Sequence, residues 1–410
     1  MSAAPIPGWG PADRSGLEPL DGGITAVAGV RAGGVISGVK PSGRSDLALV
    51  ATDGPAATAV VTTRNLVKAP ACTLSEQHAA DGRARAIVIN AGNANVATPD
   101  GEAHALRLAV GAADALRLDA ATDVLVMSTG VIGVPLPIDR IEAAMPAAVA
   151  DLDHQGGGRA ATAMMTTDTH AKQVAFRVTD DQGSCTVAGM AKGVGMIEPN
   201  MATLLVVLTT DAPVTGRVLR QLLRRAVDTT FNRISVDGDG STSDTVAVLA
   251  TGTATAPPGL ETLARALQAV CADLAQQVVA DGEGASRVAA VTVTGAATEA
   301  EAERLARSVA TSLLVRAAIH GADPNWGRIL MALGNAGVAF DPCRVSVRCA
   351  GITVCRFGVA ASFDRGQAAA AMQRPQVDIE VEVASGDARA TVLTCDLTPE
   401  YVRFNAEYTT

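Results

Sequence analysis

Lys192-Gly-Val-Gly-Met-Ile-Glu-Pro-Asn-Met-Ala-Thr-Leu-Leu-Val-Val-Leu208 changes character halfway along. Gly193 and Gly195 admit backbone angles closed to other residues, and Pro199 fixes one φ, so the first half is loop. From Thr203 onward the run is apolar and β-prone, so the second half is strand. A hydroxyl thus stands where an irregular turn meets a rigid element. That arrangement suits a nucleophile, because the strand holds the side chain while the turn exposes it. By placement alone, the plainer reading prevails, in which Thr203 is a β-branched residue opening a strand. Lys192-Gly-Val-Gly195 is no phosphate loop, since it lacks the four-residue spacer and the Lys-Ser/Thr ending.

Working outward, strand-like runs recur at 46–52, 57–63, 86–91, 123–128, 173–178, 203–209, 245–250, 288–294, 345–349, 377–383 and 389–394. Segments with helical spacing separate them, at 102–117, 138–152, 217–231, 260–281, 299–319 and 365–373. The alternation predicts a mixed α/β protein. Across 217–231, Val218, Leu219, Leu222, Leu223 and Val227 form one face, and Arg217, Arg220, Arg224 and Arg225 form a solvated opposite face. Gly/Pro-rich breaks at 153–159 and 253–259 read as surface loops or seams. After Glu283-Gly-Ala-Ser-Arg287, a strand, a helix and three further strands look like a separate module. The expected division is 1–285 and 286–410.

With 410 residues, 48% of them apolar and 18% charged, the chain is long and hydrophobic enough for a substantial core. A net charge of −9 and 2% aromatic residues argue against nucleic-acid binding, which draws on basic stripes and stacking platforms. No apolar run reaches the ~18 to 20 residues that cross a bilayer. The start, Met1-Ser-Ala-Ala-Pro-Ile-Pro-Gly8, has neither a basic region nor an apolar core, so a cytoplasmic protein is expected. The seven cysteines are scattered and never spaced C-x-x-C, and the five histidines form no H-E-x-x-H pair. Neither a disulfide framework nor a metal is expected. Asp237-Gly-Asp-Gly-Ser-Thr-Ser-Asp244 has a calcium-loop look, but its twelfth position is Val248, so it reads as a structural turn near the site. Gly321–Arg328 reads as a buried turn.

The string Lys192-Gly-Val-Gly-Met-Ile-Glu-Pro-Asn-Met-Ala-Thr-Leu204 resembles the self-cleavage segment of the ornithine acetyltransferase family, also called glutamate N-acetyltransferases. Ser128–Gly133, Met165–Thr169, Phe231–Asp239, Asp281–Ala285, Gly321–Arg328 and Tyr401–Asn405 resemble further blocks of that family, in its order. The resemblance implies a layered α/β sandwich of that type with a smaller C-terminal α/β module. It also implies scission between Ala202 and Thr203, giving chains 1–202 and 203–410 that assemble as a heterotetramer. Thr203 becomes nucleophile and base, Thr129 and Gly130 form the oxyanion hole, and Thr169, Lys192, Glu283, Asn405 and Thr410 bind substrate. The implied reaction moves acetyl from N-acetylornithine to glutamate in arginine biosynthesis, with no cofactor. Some members of the family also accept acetyl-CoA as donor.

The chemistry is coherent on its own terms. A threonine hydroxyl needs a neighbouring base. A freed α-amine, with an ordinary pKa of ~7.7–8.0, supplies one near neutrality without any histidine. Before scission, the hydroxyl attacks the Ala202 carbonyl to give an ester that water opens. The chain also departs from the family pattern. Gly240 and Ser243 replace Thr and Asn, Thr311-Ser-Leu-Leu-Val-Arg316 stands for Asn-Ser-Pro-Leu-Val-Lys, and His320 stands where an aromatic is frequent. Arg and Lys are not equivalent anchors. These changes spare the nucleophile and keep open a specialised N-acyltransferase for another amino acid, an aminopeptidase or amidase on the same scaffold, or an uncut ligand-binding chain.

Overall fold

The computed structural model describes residues 6, 8–198 and 204–407. Among them are two sheets with helices packed on their faces, an α/β architecture. The larger sheet runs Leu17–Pro19, Lys172–Thr179, Ser184–Lys192, Leu205–Thr210, Thr245–Ala250, Leu47–Thr62, Arg83–Asn93, Val124–Val131, with Val30–Val35 added beside Leu47–Thr62. Leu205–Thr210 pairs in parallel with Thr245–Ala250, and Arg83–Asn93 with Val124–Val131; the other pairs are antiparallel.

Central strands buried on both faces lose the apolar/polar alternation of a half-exposed strand. In Leu205–Thr210, Val206 and Leu208 face a core shared with helices Gly216–Thr229 and Leu260–Ala280. Leu205 and Val207 face the opposite core, beneath helix Gly157–Met164. A further cluster packs Gly101–Leu116 and Ile138–Ala150 on the far end of the sheet.

The second sheet comprises Val359–Ala360, Ile352–Arg356, Ser346–Cys349, Gln376–Glu382, Val288–Ala296, Ala388–Cys395 and Ile234–Ser235, in that order. Its own apolar cluster lies under helices Glu299–Ala310, Leu313–His320 and Trp326–Gly334. Ile234–Ser235, from before the expected division at 285, pairs with Ala388–Cys395.

Several elements differ from the expectation. The runs 46–52 and 57–63 form one strand, Leu47–Thr62, because a register irregularity between Ala51 and Ala56 absorbs Asp53-Gly54-Pro55. The helix expected over 299–319 breaks at Thr311–Ser312, where the Ser312 hydroxyl accepts from Val315 N–H and starts a new helix. The break at 153–159 contains the beginning of Gly157–Met164. Asn325, in the expected turn 321–328, caps helix Trp326–Gly334 through Arg328 N–H. Among the described residues, no helix is long and apolar enough to cross a membrane.

Truncating Leu208→Ala removes a fully buried side chain from the core between sheet and helices. Urea denaturation is expected to show a loss of about 2–5 kcal/mol in unfolding free energy.

Candidate active site

Across the larger sheet, Lys192 pairs with Leu205, Leu205 with Thr245, and Thr245 with Thr62, so four strands end in one row. At this edge opens a cavity of about 740 Å³. Its described lining includes Lys40, Thr129, Gly130, Thr166, Thr167, Lys192, Gly240–Ser243, Glu283, Tyr401 and Asn405. These residues come from widely separated parts of the chain.

Thr129 and Gly130 lie near the end of Val124–Val131. Gly130 has φ +129° and pairs with Gly92, and a Cβ there would stand 2.2 Å from the Gly92 carbonyl carbon. Only glycine permits that approach. The Lys192 ammonium, 3% exposed, donates to Thr129 Oγ1 at 3.4 Å. Burial pulls the Lys192 pKa down, while Asp168 opposes the shift. The Lys192 side chain therefore stands beside the Thr129 hydroxyl at the cavity wall.

Glu283 takes hydrogen bonds from Thr167 Oγ1 and Asn405 Nδ2, each at 3.0 Å. Gly195 allows this carboxylate to press against the loop, since a Cβ there would meet Glu283 Oε2 at 2.5 Å. Asn405 and Tyr401 come from helix Pro399–Glu407, so the C-terminal part of the chain forms one side of the cavity. Burial, aided by the nearby carboxylates of Asp237, Asp239 and Glu283, pushes the Tyr401 phenol up to about 12.

Behind the lining lies a buried ionic cluster. Lys172 Nζ, fully buried, donates to Asp168 Oδ1 at 2.7 Å and Asp281 Oδ2 at 2.6 Å. Asp168 also accepts from the N–H groups of Thr166 and Gly193. Burial disfavours the Asp168 carboxylate, but the ammonium groups of Lys192 and Lys172 and these donors hold its pKa down to about 2. Two loops lining the cavity are thus fastened to one carboxylate.

The loop 237–244 is a turn with two working ends. Asp237 accepts from the N–H groups of Met196 and Ile197, the latter at 2.8 Å. Asp244 Oδ1 accepts from Leu204 N–H at 2.7 Å. Burial pushes the Asp244 carboxyl well above the usual carboxylate range, against the pull of the Leu204 N–H, the Thr63 hydroxyl and Lys192.

Of the residues singled out from sequence, Thr129, Gly130, Lys192, Glu283 and Asn405 meet at the cavity. Thr169 does not line it. Its hydroxyl donates to Asp281, its N–H donates to the same carboxylate, and Thr166 and Thr167 take the lining position. Ala202, Thr203 and Thr410 lie outside the described residues. Gly240 and Ser243, two departures from the family pattern, line the cavity. Arg316 is buried and donates to the carbonyls of Cys395 and Asp396. His320 Nδ1 lies 3.0 Å from Asp396 Oδ2.

Sequence reasoning missed Lys40. Its Nζ donates to the carbonyls of Ser45 and Ala163, and burial lowers its pKa to about 8 against the pull of Asp46. No motif surrounds it. Asp168 stood inside the quoted block Met165–Thr169, which was the available signal.

A family model described as the ArgJ family matches residues 31–410. The arginine biosynthesis bifunctional protein ArgJ of Gloeobacter violaceus is 44% identical over 404 residues, covering 96% of this chain and 99% of that protein. Its Mycobacterium bovis counterpart is 45% identical over 394 residues, covering 94% and 96%. Among solved structures, a chain of the Bacillus halodurans protein of that name is 37% identical, covers 50% of this chain and 98% of its own, and has a TM-score of 0.47. A chain of the Mycobacterium tuberculosis ornithine acetyltransferase complexed with ornithine is 42% identical, covers 45% and 98%, and has a TM-score of 0.42.

The buried cluster behind the cavity has two measurable consequences. Lys172→Met leaves Asp168 and Asp281 without their shared cation, and urea denaturation is expected to show a loss of about 3–5 kcal/mol. With its folded pKa below the ordinary 3.8, Asp168 contributes stability that is fully present above pH ~4 and lost as pH falls through about 2. Denaturation across that window is expected to show this slope, and Asp168→Asn to flatten it.

Proposed function

The chain belongs to the ArgJ family, and from that premise we propose that it transfers an acetyl group from N-acetylornithine to glutamate by double displacement on Thr203. The observation that carries the reading is the one cavity in which Thr129, Gly130, Lys192, Glu283 and Asn405 converge, with Lys192 paired in the sheet to Leu205, two residues after Thr203.

The Thr203 hydroxyl first attacks the Ala202 carbonyl. The peptide nitrogen leaves as the α-amine of Thr203, and water opens the resulting ester to give chains 1–202 and 203–410. In turnover, the amine takes the hydroxyl proton as the oxygen adds to the acetyl carbonyl of the donor. The Thr129 hydroxyl and Gly130 N–H face the oxyanion that forms, and the Lys192 ammonium adds positive potential beside them. Collapse returns the proton to the departing amine of ornithine and leaves acetyl on Thr203 as an ester. The amine of glutamate then attacks that ester and repeats the sequence in reverse. Lys192 offers a partner for a substrate α-carboxylate and Glu283 one for a distant ammonium, with Asn405 steadying Glu283. On the same reading, Thr169 acts on substrate through the loop it fastens to Asp281, and Thr410 closes the C-terminal side. The enzyme works in the cytoplasm as a heterotetramer of two chains of each kind, and acetyl-CoA is a further donor. The region 1–285 carries most of the cavity, and the module 286–410 supplies its remaining side through Tyr401 and Asn405.

Two measurements test this reading. Given N-acetylornithine and glutamate, the purified protein is expected to form ornithine and N-acetylglutamate together; acetate released at one rate with or without glutamate would instead identify an amidase. Mass spectrometry is expected to find two chains that meet at Ala202/Thr203. Thr203→Ala is expected to stay whole and inactive, while Thr129→Ala slows turnover about 10²–10³-fold. Normal turnover by the whole Thr203→Ala chain would end the proposal.

A further inference from the structure

The two ends of the loop 237–244 hold residues that precede and follow the Ala202-Thr203 bond in the sequence. Upstream, Asp237 accepts from Met196 N–H and Ile197 N–H, and Val236 N–H donates to Ile197 O at 2.7 Å. Met196 has φ +55°, a conformation uncommon for a side-chain-bearing residue, and it needs such fastening. Downstream, Asp244 Oδ1 takes Leu204 N–H at 2.7 Å, and Thr245 N–H donates to Leu204 O at 2.9 Å. The loop is itself pinned to the sheet. Thr63 donates its N–H to Asp244 O and its hydroxyl to Ser241 O, and Ala69 N–H reaches Thr242 O. The second Asp244 oxygen, Oδ2, is buried and has no hydrogen-bond partner among the described residues.

We propose that the loop 237–244 is a clamp for self-cleavage, in which Asp237 anchors the chain that leads to the scissile carbonyl and Asp244 positions the nucleophile before and after scission. This rests on the reading of Thr203 given above. Scission would place Met196 and Ile197 on one chain, and Asp237, Asp244 and Leu204 on the other. Asp237 then bridges the two products, while Asp244 keeps its hold one residue from the nucleophile. The freed α-amine is three covalent bonds from Leu204 N, at most about 3.7 Å away, and on this proposal it meets the unpaired Oδ2. There a negative charge on Asp244 stabilises the ammonium formed when the amine accepts the hydroxyl proton, and that ammonium in turn offsets the burial that otherwise disfavours the carboxylate. Lys192, from strand Ser184–Lys192, is the charged group facing this carboxyl, and the Cys72 thiol lies against the Asp244 backbone carbonyl.

Freshly made protein followed by intact mass tests the clamp. Asp237→Ala and Asp244→Ala are each expected to slow scission about ten- to a hundredfold, because each loses the hydrogen bonds by which the loop holds the chain on one side of the bond being cut. Asp237→Asn keeps an acceptor oxygen of the same shape and is expected to recover most of the rate. Asp244→Asn also keeps the hold on Leu204 and is expected to cleave. However, without the carboxylate the amine loses its proton more readily, so the acid limb of the kcat/KM profile of cleaved Asp244→Asn moves to lower pH. A merely structural aspartate would not move that limb. Wild-type protein that cleaves, with both alanine variants cleaving at its rate, overturns the clamp alone. An unmoved limb overturns the role of Asp244 in turnover. A wild-type chain that never cleaves removes both the clamp and the reading beneath it.

Discussion

The fully buried ammonium of Lys172 is the constraint on which the cavity depends. It sits between Asp168 and Asp281, and through them it ties together parts of the chain that share no sheet pairing. Asp168 holds the Thr166 and Gly193 amides, while Asp281 holds Thr169 and stands two residues before Glu283. Burying three charges is costly unless each is paired and hydrogen-bonded, and here the donors are arranged to satisfy that demand. The cluster works as a fixed block against which the loops lining the cavity are set.

Charge is graded outward from this block. Lys192 lies next to Asp168 and reaches toward Thr129, so one carboxylate serves as counter-ion for two ammonium groups. Glu283 faces the cavity with one oxygen bound by Thr167 and the other by Asn405. A cation and a carboxylate from different elements thereby face the same cavity.

Much of the fold was legible from local pattern. Strand Thr245–Ala250 matches its expected limits, and Gly216–Thr229 buries Leu219, Leu222, Leu223 and Val227 on the face that helical spacing assigns. The expectation failed where a side chain redirected the backbone, as Ser312 does in starting a second helix, or where an irregularity let a strand run on, as at Asp53–Pro55. At the site, Thr169 shows the same limit: its motif marks the right loop, but its hydroxyl is taken by Asp281. Lys40 carries no motif at all, and only its neighbours make it a desolvated cation.

The order of strands and helices, the glycines that permit tight approach at Gly130 and Gly195, and the residue types able to carry acyl chemistry were determined by the amino-acid sequence, because short-range sterics and hydrophobic period act within a few residues. Which of those residues meet was decided by tertiary structure. Thr167 and Glu283 bond across 116 positions, Lys172 and Asp281 across 109, and Asp244 reaches back 40 to hold Leu204. Such pairings depend on sheet register and on burial, which strips water from these groups and leaves them only one another as partners.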